Sequence, residues 1–187
     1  MSVKNKKMLH LGCGERYLPG YIHIDINKFD HIDYETEVDN LEMFKDNSID
    51  EIYASHVLEY FDIHECVDVL AEWKRVLKKG GNLRLAVPNF YNLMKVYENT
   101  GKISDIIGPI IGRWELKNQH VIYHKQIFDE DSLRKLLNEC GFKNVNYWDW
   151  EDFIEDYPNY DDHSQAYFPD MDKKNGIHVS LNLICSK

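Results

Sequence analysis

Apolar positions in the first half of the chain come in strand-length bursts and then switch to helical spacing. Residues 7–12 and 21–25 are short runs of the kind that form buried strands. Residues 31–35 are a weaker third, and SIDEIYAS (48–55) is a fourth. A helix is predicted next, with Asp62 as its cap and Glu65, three residues on, as the capping-box partner. Val67, Leu70, Trp73, Val76 and Leu77 recur at helical period until Gly80-Gly81 stops the helix. NLRLAVP (82–88) alternates as a fifth strand. Residues 89–126 are mixed and partly helical, broken by Gly101, Gly108-Pro109 and Gly112. Asp129 caps a further helix, EDSLRKLLNEC, closed by Gly141, and two last strands follow at 143–150 and 177–185.

Strands alternating with helices predict an α/β fold, a doubly wound and mostly parallel seven-stranded sheet of the Rossmann-like kind. No helix separates the last two strands, so the sheet is expected to end in an antiparallel hairpin. A chain of 187 residues suits one domain, 1–187, in which 89–126 and 151–176 read as insertions that bind substrate or act as a lid.

Charge narrows the partners. The net charge is −10, from 32 acidic and 22 basic residues, which disfavours a polyanion and so predicts no nucleic-acid substrate. The cations at Lys74, Arg75, Lys78 and Lys79 fit the last turn of a helix better than a phosphate-binding patch. No apolar stretch has the length of a membrane span, and the basic start MSVKNKK runs directly into the first strand without a signal-like core. Four scattered cysteines (Cys13, Cys66, Cys140, Cys185) form no C-x-x-C pair and read as reduced thiols of a cytoplasmic protein.

Chemistry concentrates in MLHLGCGERYLPGYIHIDI. Gly12 and Gly14 follow the first strand, where a missing side chain permits a tight turn and close ligand approach. A dinucleotide fingerprint would need a third glycine where Tyr17 stands and an acid about twenty residues on, whereas Asp25 comes much sooner. Pro19-Gly20 also prevents a full crossover helix, and no phosphate-loop motif occurs anywhere. Asp25 ends the second strand, where a carboxylate can accept both hydroxyls of a ribose. VDNL (38–41) follows the third strand, and Ser55 and His56 emerge at the end of the fourth.

With LHLGCG, YIHIDI, VDNL, SIDEIYASHVLEYF and EWKRVLKKGGNLRLAVPNF in order over residues 8 to 90, the chain resembles the class I S-adenosylmethionine-dependent methyltransferases, a small subgroup with a short first loop. A looser match, GFKNV, continues beyond. The resemblance implies S-adenosylmethionine as cofactor, with Gly12 and Gly14 at its methionine part and Asp25 at the ribose. Asp39, Asn40 and Leu41 would bound the adenine, and Ser55 and His56 would lie near the sulfonium. Leu11, Cys13 and Ile26 complete the implied cofactor set. Related sequences often carry a histidine where this chain has Tyr60, so no role built on that histidine transfers.

The expected reaction is methyl transfer to a hydroxyl or amine of a small polar molecule. An oxygen or nitrogen acceptor calls for a base, and His56, His124 and an acid-supported His163 beside Asp162 are the candidates. His120 and His124 stand four apart, a metal-ligand spacing if helical, but no H-E-x-x-H or third ligand accompanies them, so no metal is expected. EDFIEDYPNYDDHSQAYFPDMD (151–172) holds eight acids and no Lys or Arg among its aromatic residues. It reads as a lid suited to a neutral polyol or a cation, which points to a sugar or sugar-derived acceptor. A cofactor-binding subunit without turnover, or a nicotinamide-dependent oxidoreductase of related fold, are the rival readings. The acceptor's identity and the oligomeric state are not encoded in these motifs.

Overall fold

The computed structural model describes residues 6–117 and 119–187; the first five residues of the basic start lie outside the described residues. Seven strands form one sheet: β1 (Met8–Leu11), β2 (Tyr21–Asp25), β3 (Tyr34–Glu35), β4 (Ile49–Ser55), β5 (Leu77–Pro88), β8 (Lys143–Tyr147) and β11 (Ser180–Ser186). Their order is β3-β2-β1-β4-β5-β11-β8, parallel from β3 to β5, with β11 antiparallel to both of its neighbours. The expected Rossmann-like sheet with an antiparallel ending is therefore present. Two short pairs lie outside it, β6 (Trp114–Glu115) with β7 (Val121–Ile122), and β9 (Tyr167–Phe168) with β10 (Ile177–His178).

Helix α1 (Ile63–Val76) starts from the expected capping box: the Asp62 carboxylate accepts from the Glu65 amide, and Glu65 accepts from the Asp62 amide. It ends four residues before Gly80, because Leu77 is already extended and pairs with Ile49 of β4. Its buried stripe is Cys66, Val69, Leu70, Trp73 and Val76, while Val67 faces outward. Together with α4 (Glu130–Glu139), capped by Asp129, α1 covers one face of the sheet. Helix α2 (Phe90–Thr100) and the single turn α3 (Ile107–Ile111) belong to the 89–126 segment.

The other face shows what the short loops after β1 and β2 require. Without helices there, Leu18, Tyr21, Tyr53 and Ala86 would lie bare. The chain after β8 returns over them instead, with Trp148, Trp150, Phe153 and Tyr160 completing this second core. The segment expected as a lid packs onto this face and contains α5 (Trp150–Asp156), a 3-10 turn at His163–Gln165 and β9. Phe153 and Tyr160 pack onto the sheet, and of the neighbouring acids Asp162 is buried with them while Glu151, Asp152, Glu155, Asp156 and Asp161 are exposed.

Candidate active site

Two groups of residues meet at the carboxyl ends of the parallel strands. The first is a backbone cradle. Gly12 and Gly14 both adopt the left-handed region, φ +61° and +56°. A Cβ on Gly12 would strike Val57 Cγ2 at 2.5 Å, so only glycine lets the turn close against the end of β4, whereas Gly14 faces open space. The Asp25 carboxylate, 6% exposed, accepts from the Gly14 amide at 2.8 Å and from the Asn27 amide at 2.7 Å. Each oxygen retains further acceptor capacity.

Around this cradle the sequence-derived residues sort by what they can present. Leu11 and Leu41 are fully buried in the core, so each offers a ligand only its main chain. Cys13 points its thiol at the Ile24 carbonyl, and burial, then the Asp25 charge, pushes it up to about 12, so it is an inert space-filling group. Ile26 is 43% exposed beside Asp25. Asp39 and Asn40 are exposed and line a shallow depression after β3. Ser55 Oγ is buried without a hydrogen-bond partner. An acidic acceptor of two hydroxyls, a glycine lip open to ligand, an uncovered isoleucine and an orphaned hydroxyl suit an adenosine-type cofactor with a sulfonium tail.

The second group is a knot of histidines. His56 adopts the left-handed region (φ +55°), and its backbone amide donates a hydrogen bond to the Ala86 carbonyl. Its ring lies 5.3 Å from that of His163, its Nε2 is 3.2 Å from Ser180 Oγ, and its Nδ1 is 3.4 Å from Glu59 Oε1. His124 approaches the same Glu59 oxygen at 3.8 Å through Nε2. Burial lowers His56 to about 3 and also lowers His124 and His163, leaving each imidazole neutral with a free lone pair. The two groups touch. Val57, next to His56, packs on Gly12, and Arg16 of the glycine loop donates to the Asp161 carbonyl beside His163.

Some expectations change here. Asp162 does not support His163: it accepts from Tyr53 Oη at 2.6 Å, Tyr160 Oη at 2.9 Å and the Ser164 amide at 2.8 Å, anchoring the cover to the sheet. His120 and His124 flank β7 and share no helical face. Among the described residues no group of three or more His, Cys, Asp or Glu could hold a metal ion. Sequence reasoning passed over Glu59, an acid in an otherwise apolar turn (HVLEYF) and, in hindsight, a readable signal.

Gly112 makes room for His124, since a Cβ there would lie 1.9 Å from the ring. Gly112→Ala is accordingly expected to evict the imidazole and cost about 1–3 kcal/mol through overpacking and the left-handed backbone. Thermal unfolding, with the His124 imidazole signals followed by NMR, checks both effects.

Beside the knot, a cavity of about 480 Å³ opens between α2, the start of α4 and the ends of β8 and β11. Asn89, Asn92, Asp129, Tyr147 and His178 line it, and it shares Ser180 with His56.

This sheet belongs to the Rossmann-like α/β fold of solved S-adenosylmethionine-dependent methyltransferases. Residues 21–85 match a family described as a methyltransferase domain. A Methanosarcina mazei S-adenosylmethionine-dependent methyltransferase structure aligns over 99% of this chain and 94% of its own, at 19% identity and TM-score 0.58. A Burkholderia thailandensis 1,6-didemethyltoxoflavin-N1-methyltransferase, solved with its substrate and S-adenosylhomocysteine, aligns over 97% of this chain and 72% of its own, at 12% identity and TM-score 0.56. The ubiquinone/menaquinone biosynthesis C-methyltransferase UbiE of Cronobacter sakazakii is 27% identical over 113 residues, 56% of this chain. That match spans 43% of the relative's length. Among the described residues no helix is long and apolar enough to cross a membrane.

Proposed function

We propose that the protein transfers a methyl group from S-adenosylmethionine to a hydroxyl or amine of a small polar molecule, sugar-derived compounds among them. The observation that carries this reading is the contact between the glycine cradle and three neutral histidines at one sheet edge. Bound S-adenosylmethionine supplies an electrophilic methyl group on a good leaving group. The chain's own residues then have three tasks. Asp25 holds ribose hydroxyls, with Leu11, Cys13, Ile26, Asp39, Asn40, Leu41 and Ser55 around the rest of the cofactor. The polar cavity beside Ser180 orients the acceptor, and alignment of this kind supplies roughly 7–11 kcal/mol of the barrier. A histidine takes the acceptor's proton, typically worth about 10²–10⁴-fold.

His56 is the leading base because it contacts both Ser180 of the cavity wall and Glu59. His124 and His163 stand behind it. Asp162 enters only by fixing the turn that carries His163. The acids Asp129 and Asp131 at the cavity mouth favour a neutral or cationic acceptor over an anionic one. The domain is taken as single over 1–187.

A panel of polyols, amino sugars and small amines, incubated with the protein and methyl-labelled S-adenosylmethionine, tests the reading. Label in one of these acceptors, reduced about 100-fold or more in His56→Ala, is expected. Tight S-adenosylhomocysteine binding without turnover on any acceptor class would favour the rival, a cofactor-binding subunit that does not catalyse.

A further inference from the structure

Glu59 is 1% exposed, and neither of its carboxylate oxygens has a hydrogen-bond partner. Its neighbours fix where protons must be. Asn182 donates its amide to the Ser164 carbonyl, so its Oδ1 faces Ser180 and accepts the Ser180 hydroxyl at 2.8 Å. Ser180 then has only lone pairs for His56, whose Nε2 must carry the hydrogen. In the neutral ring this leaves the Nδ1 lone pair facing Glu59. His124 is set the same way. Its Nδ1 donates to the Pro109 carbonyl at 3.0 Å, so its Nε2 lone pair also faces Glu59. Two lone pairs aimed at a bare carboxylate would repel it, and a proton between them removes the conflict.

We propose that Glu59 is a positioning residue that acts through His56: the Glu59–His56 unit holds an exchangeable proton, releases it when the cationic cofactor binds, and recovers it from the acceptor. The inference rests on the methyltransferase reading above. The proton released is the one on Nε2: as it leaves, the Glu59 proton passes to His56 Nδ1, so Glu59 becomes a carboxylate that accepts from Nδ1. Nε2 is left with a lone pair at the Ser180 wall of the cavity, whose hydroxyl can then turn from Asn182 Oδ1 toward it. During transfer the acceptor's X–H bond breaks and its proton enters that lone pair. The X–CH3 bond forms as the S–CH3 bond breaks, and the bonding pair stays on sulfur. The positive charge lost at sulfur is matched by the proton gained on the unit, so this buried corner keeps one net charge throughout.

The surroundings agree. Burial pushes the Glu59 carboxyl up to about 8, so the free protein holds the proton at neutral pH. The groups facing the unit are His163 and Asp162 from the cover, Arg16 from the glycine loop, and His124 with Tyr60 against its ring. Only the sulfonium adds a full charge on binding, which separates S-adenosylmethionine from neutral-sulfur S-adenosylhomocysteine.

Calorimetric titration of the whole protein with each compound, in buffers of different ionisation enthalpy, reads the protons exchanged. At pH 7, S-adenosylmethionine is expected to release up to about one proton per site more than S-adenosylhomocysteine. That difference should be lost in Glu59→Gln and, in the wild type, fade as pH rises past about 8. Equal proton exchange for the two compounds overturns the inference, as does a difference that survives in Glu59→Gln or at high pH. The wild-type pH series decides the matter even where the variant folds poorly. Failure of both compounds to bind would instead remove the cofactor reading, and this inference with it.

Discussion

Asp25→Ala is expected to weaken S-adenosylhomocysteine binding by roughly 30- to 150-fold, which corresponds to about 2–3 kcal/mol. Two losses add. The carboxylate is the acceptor available to ribose hydroxyls, and hydrogen bonds to a charged group are worth about 1.5–3 kcal/mol each. It also ties the Gly14 and Asn27 amides, so its removal frees the glycine turn that must approach the ligand. Asp25→Asn keeps one acceptor oxygen and is expected to fall between the wild type and alanine. Calorimetry with S-adenosylhomocysteine, and NADH as a parallel ligand, provides the check. An undiminished affinity in the alanine variant would remove Asp25 from the cofactor site, and preferential NADH binding would revive the nicotinamide reading.

Asp162→Ala should produce the largest loss of stability, about 3–5 kcal/mol, with Tm lowered by roughly 10 °C. Its side chain is buried with Tyr53 Oη, Tyr160 Oη and the Ser164 amide all donating to it; truncation leaves the Ser164 amide without that acceptor and the two hydroxyls with only longer contacts, at 3.3 Å, to Ser164 Oγ and His10 Nε2. Burial works to raise this carboxyl, but the bonds from Ser164, Tyr53 and Tyr160 outweigh it and hold the group below the usual aspartate range. A depressed carboxyl stabilises above its unfolded pKa, and that contribution disappears as pH falls through the folded value. His10 and His56 act in the same sense: burial pushes both from 6.5 to about 3, so their contribution is whole above 6.5 and is lost on acidification toward 3. Glu59, raised by burial from 4.5 to about 8, works in the opposite sense over that range, so urea titrations from pH 7 to pH 3 should show the steepest loss of stability below about pH 4.5. The Asp162→Ala curve should flatten at its acid end, because the carboxylate part is already missing. A parallel displacement at all pH values would mean that Asp162 is not ionised in the folded protein.

The cover anchored by Asp162 also explains why part of the site escaped sequence reading. An acid beside a histidine suggested a catalytic pair, yet Asp162 and His163 diverge: one turns into the sheet face, the other toward His56. Adjacent residues in an irregular segment share no fixed face, so their partners depend on what the segment packs against. Likewise, 151–172 had no strand or helix period long enough to betray that its aromatic residues would seal a sheet face left open by the short loops after β1 and β2.

The sequence by itself determined the sheet, its antiparallel ending, the capped helices α1 and α4, and the glycine turn with Asp25 at its edge. Each of these rests on local rules: side-chain period, capping geometry and the φ range open to glycine. Only the tertiary structure decided which side chains share the space above β4. His124, His163 and Ser180 come from three separate stretches of chain, brought to His56 and its near neighbour Glu59 by the closing of β11 beside β5 and the return of the cover. Their meeting is set by packing between distant segments, and so is the burial that lowers His56 and raises the Glu59 carboxyl.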